Sequence, residues 1–273
     1  MARILTLGMA VLDHVFRVED FPQAGRKYRA EDYSVHIGGP AALAAVTVAR
    51  LGGGASLCTR LGDDANSRVV TAELEDAGVD LAPSIIVPGG MAPISSVYVD
   101  DRGERQIVNF RGRGLDVTDD ALDGVRLDGV DAVLVDPRWP EAAKRILMMT
   151  AERGIPTVVD GESDLSELED VLGNATHLAF SAQGLASLSG QESPIDGLRH
   201  CAERYGCWVG VTLGEKGVIY LDEGSVAHVA AFPVKASDTL GAGDVWHGAF
   251  VLGLGEGHSI FHAVRFANAA AAL

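Results

Sequence analysis

Six short apolar runs, each followed by a helix-like stretch or a turn, constrain this chain more than any other feature in it. They are Ile4–Gly8, Ser56–Arg60, Ala132–Asp136, Thr157–Asp160, His177–Ser181 and Trp208–Thr212. Runs this apolar have no polar face to offer water, so both faces must be covered. The intervening segments Ala41–Leu51, Arg68–Ala77, Glu141–Arg153, Leu185–Leu188 and Ile195–Tyr205 read as the covering helices. The order predicts an α/β fold, a mainly parallel central sheet with helices on both faces. In such sheets ligands sit beyond the carboxyl ends of the strands, where Asp136, Asp160, Ser181 and Thr212 fall.

Two segments break the rhythm. Tyr28–Ile37 alternates in polarity, and Ile94–Val99 with Gln106–Phe110 flank the turn Asp100-Asp101-Arg102-Gly103, as a hairpin does. They predict a small antiparallel β lid drawn from segments near 10–37 and 92–112. With no repeat or long linker in 273 residues, a single domain over 1–273 is expected.

Charge removes whole classes of partner. Twenty-two Lys and Arg against 38 Asp and Glu leave a net charge of −16. A nucleic acid or an anionic membrane needs a basic footprint that this chain lacks. Three cysteines without metal-ligand spacing, and an N-terminus without the layout of a secretion signal, predict a reduced, cytoplasmic protein.

The chemistry concentrates in Asp238-Thr239-Leu240-Gly241-Ala242-Gly243-Asp244, which enters the apolar helical stretch Val245–Leu254. Glycines let the backbone approach a ligand closely. The first amides of a helix have no intrahelical partner and carry partial positive charge, which suits a phosphate. Asp244, in the first turn, adds a carboxylate able to accept a proton from a hydroxyl. The same residues also suit a plain loop-to-helix junction, where Asp is favoured anyway.

As a whole the run resembles the C-terminal signature of the ribokinase-like (PfkB) carbohydrate kinases. A second run, Gly38-Gly39-Pro40-Ala41-Ala42 before a small-residue helix, is similar to that family's other signature. The resemblance implies a sugar kinase that uses ATP and Mg²⁺, with a monovalent cation as a further candidate. It makes Asp244 the base and Gly241, Ala242 and Gly243 the cradle of the transferring group. It places Asp13, Gly38 and Gly39 at the sugar. It puts Thr212, Gly214 and Gly217, from Thr212-Leu213-Gly214-Glu215-Lys216-Gly217, and Asn268 at the ATP.

Departures from the family pattern matter as much. Leu43 stands where most members carry Asn. Ser181-Ala182-Gln183-Gly184 stands where many carry Asn-x-x-Glu, which organises magnesium and phosphate. Asp160 and Glu162, at a neighbouring strand end, are then the candidates to hold Mg²⁺ through water. The chain stops at Leu273 inside an Ala-rich helix where members usually continue, so its C-terminal end is expected to be incomplete.

The runs Asp136-Pro137-Arg138-Trp139 and Gly241-Ala242-Gly243-Asp244-Val245-Trp246-His247 look like those of bacterial 6-deoxy-6-sulfofructose kinases. That branch implies Lys27, Asn109 and Arg138 around an anionic sugar tail, and transfer to the 1-hydroxyl of 6-deoxy-6-sulfofructose. Alternatives are fructose 6-phosphate or another sugar, a nucleoside stacked on Trp139, and a non-catalytic sugar- or nucleotide-binding regulator. Exposed lid edges predict a homodimer.

Overall fold

The computed structural model describes residues 1–162, 164–234 and 241–273. The expected residues Asp238, Thr239 and Leu240 lie outside that set.

In chain order the strands are β1 (Arg3–Leu7), β2 (Val11–Arg17), β3 (Asp32–Gly38), β4 (Gly54–Cys58), β5 (Arg60–Gly62), β6 (Val79–Asp80), β7 (Ile85–Val87), β8 (Ile94–Val99), β9 (Arg105–Phe110), β10 (Ala132–Val135), β11 (Thr157–Gly161), β12 (His177–Ser181), β13 (Trp208–Thr212), β14 (Val218–Asp222) and β15 (Ser225–Val229). The α-helices are α1 (Pro40–Arg50), α2 (Ala65–Asp76), α3 (Pro140–Arg153), α4 (Ala182–Ser189), α5 (Pro194–Tyr205), α6 (Ala242–Gly255) and α7 (Ile260–Ala271).

Nine strands form the main sheet in the order β15-β14-β13-β12-β11-β10-β1-β4-β6. From β13 through to β6 the pairings are parallel; β14 and β15 complete the edge antiparallel. Successive side chains on a strand face opposite sides, and β10 shows the result. Ala132 and Leu134 join the core beneath α1, α6 and α7, while Val133 and Val135 join the core beneath α3, α4 and α5. Every one of the four is buried, which is what an unbroken apolar run requires.

The expected strand Ser56–Arg60 divides at Thr59. β4 ends at Cys58 and stays in the main sheet, whereas β5 leaves it to pair with β7. Ser84 holds the break, its hydroxyl donating to Leu57 O at 2.6 Å.

The lid is a four-stranded sheet in the order β3-β2-β8-β9. Its β2–β3 and β8–β9 pairs are antiparallel, but β2 pairs with β8 in parallel, so the lid is not wholly antiparallel as expected. It is assembled from two separate excursions of the chain, joined to the main body at residues 8–10, 39, 88–93 and beyond 110. The alternating segment Tyr28–Ile37 becomes strand only from Asp32, and Asp13 lies within a strand rather than after one. Among the described residues no helix is long and apolar enough to cross a membrane.

Candidate active site

Because β1, β10, β11, β12 and β13 run parallel, their carboxyl ends form one edge. Strand neighbours lie about 4.8 Å apart. Asp136 therefore follows β10 on one side, Asp160 lies at the end of β11 with Glu162 just beyond it in the middle, and Ser181 and Thr212 end β12 and β13 on the other side. Asp136 is fully buried. It accepts the Met9 amide at 2.9 Å and the Arg138 amide at 3.1 Å, which ties the first loop to the end of β10.

Helix α6 points its first turn at the middle of this edge. Gly241 caps it in a left-handed conformation (φ 73°), and Asp244 lies in the first turn. The amides of Ala242, Gly243 and Asp244 open the helix, where backbone donors have no intrahelical acceptor. The carboxylates of Asp160, Glu162 and Asp244 converge, with one oxygen from each within 4.8 Å of the others. Burial, then the charge of Asp160, pushes the Asp244 carboxyl up to about 7. A base so placed titrates near neutral pH, where general bases work best. Three hard oxygen donors suit Mg²⁺ better than a softer metal, so Asp160 and Glu162 are brought together as the sequence proposed, with Asp244 as a third member.

His247, one turn along α6, was assigned no role from sequence. Its Nδ1 faces Gly243 O at 2.9 Å and its Nε2 faces Ala179 O at 3.2 Å. Carbonyls only accept, so each nitrogen that carries a proton has an acceptor beside it. Burial alone lowers its basicity, but Asp160, 3.7 Å from Nε2, overrides that and holds the ring above its ordinary value. When protonated, the ring offsets part of the carboxylate crowding around Asp244. The sequence signal was a histidine three residues after Asp244 in an otherwise apolar helix.

On the lid side lies a cleft of about 920 Å³, lined by Asp13, Gly39, Leu43, Asn109, Arg138 and Asp244 among others. It brings the lid residues Asp13 and Asn109 to the same space as Asp244. Burial raises the Asp13 carboxyl, and the Ser95 hydroxyl opposite it on β8 pulls it partly back. Gly39 holds φ 93°, and a Cβ there would sit 2.5 Å from Met9 O. Gly38 is buried and does not line the cleft; it lies beneath Asp13, and a Cβ on it would fall 2.1 Å from Oδ2. It leaves room for that carboxylate rather than facing the cleft. Leu43 packs on the opening turn of α6, its Cδ1 only 3.1 Å from where a Gly241 Cβ would be.

Three expectations need correction. Lys27 is exposed and lies off the cleft. Arg138 lines it, but Nη1 bonds Asp136 at 2.9 Å and Nη2 lies 3.5 Å from Glu162, so its charge is already met by two carboxylates. Trp139 is 1% exposed, packed in the core with the Arg60 guanidinium 5.0 Å from its ring centre, and cannot stack on a base.

On the other side Thr212 Oγ1 donates to Phe180 O at 3.3 Å. Gly214 opens a 3-10 turn and Gly217 closes it, where a Cβ would strike Val229 O at 2.2 Å. Asn268 is a further correction. It is buried, its Oδ1 accepts from Trp246 Nε1 at 2.8 Å, and its Nδ2 donates to Val229 O and Ala230 O at 3.2 and 3.1 Å. With its side-chain amide committed this way, it ties α7 to α6 and to the end of β15 rather than facing a nucleotide. Ser181 caps α4 by accepting from Gly184 N at 3.0 Å.

Comparison with known proteins places this geometry. The pattern described as "pfkB family carbohydrate kinase" matches residues 1–273. An ATP-dependent ribose-1-phosphate kinase of Halopiger xanaduensis is 30% identical, over 100% of this chain and 92% of its own length. A ribokinase of Bacillus subtilis is 28% identical over 100% and 92%. A solved structure from Agrobacterium tumefaciens has a TM-score of 0.91 at 35% identity, covering 100% of this chain and 90% of that one.

Proposed function

Since the chain belongs to the pfkB family of carbohydrate kinases, we propose that it transfers the γ-phosphoryl group of ATP to a sugar hydroxyl held between Asp13 and Asp244. The observation that carries the proposal is the convergence of Asp244, Asp160 and Glu162 at the first turn of α6, facing a cleft whose far wall is Asp13. Asp244 accepts the proton of the attacking hydroxyl. The Ala242 and Gly243 amides hold the transferring group, with Gly241 setting the turn. Asp13 accepts two sugar hydroxyls, which orients the third for attack. Asp160 and Glu162 would hold Mg²⁺, which would neutralise charge on the phosphate oxygens. Thr212, Gly214 and Gly217 shape the nucleotide side of the edge.

For the sugar, the proposal favours a pentose of the ribose type. The named relatives are a ribokinase and a ribose-1-phosphate kinase. An anionic tail of the sulfofructose kind loses the support of Lys27 and Arg138. One observation keeps a phosphorylated or sulfonated substrate as a second reading: Arg60 and Arg111 line the same cleft. Open edges at β3 and β9 support pairing of two lids.

The test is ADP release on ribose, ribose 1-phosphate, fructose 6-phosphate and 6-deoxy-6-sulfofructose, with Asp244→Asn as control. Losing the base is expected to cost about 10²–10⁴-fold in kcat. Equal turnover by the wild type and the Asn variant on every sugar would remove Asp244 from the reaction.

A further inference from the structure

One register level of the lid carries a polar side chain on each of its four strands. His36 on β3 pairs with Asp13 on β2, Asp13 pairs with Ser95 on β8, and Ser95 pairs with Asn109 on β9. All four line the cleft. Directly paired residues share a face of the sheet, with Cβ atoms about 5 Å apart. The row therefore lies across the ceiling of the sugar site.

Its members differ in how far they are committed. Ser95 is buried (7% exposed) and acts on the Asp13 carboxyl, which makes it a positioning residue. His36 is exposed to the cleft, and its Nε2 is 2.8 Å from Ser34 Oγ. Among the described residues Nδ1 has no recorded partner, so one ring nitrogen is left for a ligand. Asn109 stands two strands from Asp13, about 10 Å away, beyond the reach of a pentose ring centred there. His36 stands one strand away, which is the spacing of the next hydroxyl but one on a sugar.

Resting on the sugar-kinase reading, we propose that His36 binds a sugar hydroxyl beside those held by Asp13. The site then selects a ligand with three contiguous hydroxyl groups, two read by the carboxylate and one by the imidazole. His14 gives a matched control. It neighbours Asp13 on the same strand, but it bonds Tyr33 Oη at 2.8 Å and does not line the cleft.

The experiment measures steady-state kinetics of wild type, His36→Ala, His36→Gln and His14→Ala on the preferred sugar and each of its mono-deoxy analogues. His36→Ala is expected to raise the sugar KM about three- to tenfold, the effect of one neutral hydrogen bond, with the ATP KM within twofold of wild type. His36→Gln is expected to recover part of the loss, and His14→Ala to behave as wild type. The deciding result is the coupling. One deoxy analogue should be penalised in the wild type and carry no such penalty in His36→Ala, because the residue and the hydroxyl are two halves of one contact. Identical penalties in both proteins for every analogue overturn the proposal while leaving the kinase standing. A wild type that phosphorylates no sugar at all overturns the kinase reading, and this one with it.

Discussion

Gly38→Ala separates the placement of Asp13 from the integrity of the fold. The backbone at Gly38 is not left-handed, so alanine can adopt it. The added Cβ would lie 2.1 Å from Asp13 Oδ2 and 2.5 Å from Cγ. Ordinary contact begins at 3.4 Å, so the oxygen must withdraw by about 1.3 Å. What must move is the end of a side chain, so the cost in stability is small, about 1 kcal/mol or less. The cost in function is large. A misplacement of about 1 Å in a substrate-orienting group can lower the rate about 10²-fold, and kcat/KM for the sugar is expected to fall by that order. The ATP KM should hold. Measured kcat/KM for both substrates, with a thermal melt, checks the split. Asp13→Ala alone should be as poor as the double variant, because the clash needs the carboxylate. Gly38→Ala with kcat/KM within threefold of wild type, or a further loss when it is added to Asp13→Ala, refutes the reasoning.

Asp244 must be ionised to accept a proton, so kcat/KM should fall about tenfold per pH unit below the carboxyl pKa, about 7 for the metal-free site. Saturating Mg²⁺ should shift that limb to lower pH, and a limb that ignores Mg²⁺ speaks against the shared cluster. The same raised carboxyl makes the folded state hold a proton between its unfolded value of 3.8 and about 7. Its stabilising share is thus full below the lower value and lost as pH rises through the upper one, so Asp244→Asn should melt higher than wild type at pH 8. Glu162→Gln should raise the Mg²⁺ concentration for half-maximal velocity several-fold, and an unchanged Mg²⁺ curve would take Glu162 out of the metal site. Asn268→Ala leaves Trp246 Nε1 and two carbonyls without their partner, which costs about 2–4 kcal/mol. It should lower Tm and leave the ATP KM alone, while the reverse pattern would return Asn268 to the nucleotide.

Most of the main sheet was legible because parallel strands buried on both faces must be apolar throughout, as Val133–Val135 are. That Asp244 opens a helix was legible from the glycines and aspartate around it, while the role given to it rested on the resemblance of the whole run. The β14–β15 hairpin was missed because an edge pair is less apolar. β2 was covered only by the lid segment near 10–37, without bounds or register of its own, because its alternation mixes Asp13 and His14 with apolar residues on a sheet only partly buried. Lacking that register also hid His36 and Ser95, which share a face with Asp13 only through pairing between distant segments. Arg138, which does line the cleft, and Asn268 were misjudged for another reason. Sequence shows that a polar group exists, but not that Asp136 or Trp246 has already claimed it.

The lid's construction from two excursions of the chain has a mechanical consequence. A simple hairpin flap swings on two tethers and can close by degrees, one edge before the other. This sheet meets the body at four crossings, and its central pair, β2 with β8, joins the two excursions by main-chain hydrogen bonds. It behaves as a plate, and any tilt is shared by all four crossings at once. His36 and Asp13, directly paired within that plate, then approach a ligand together.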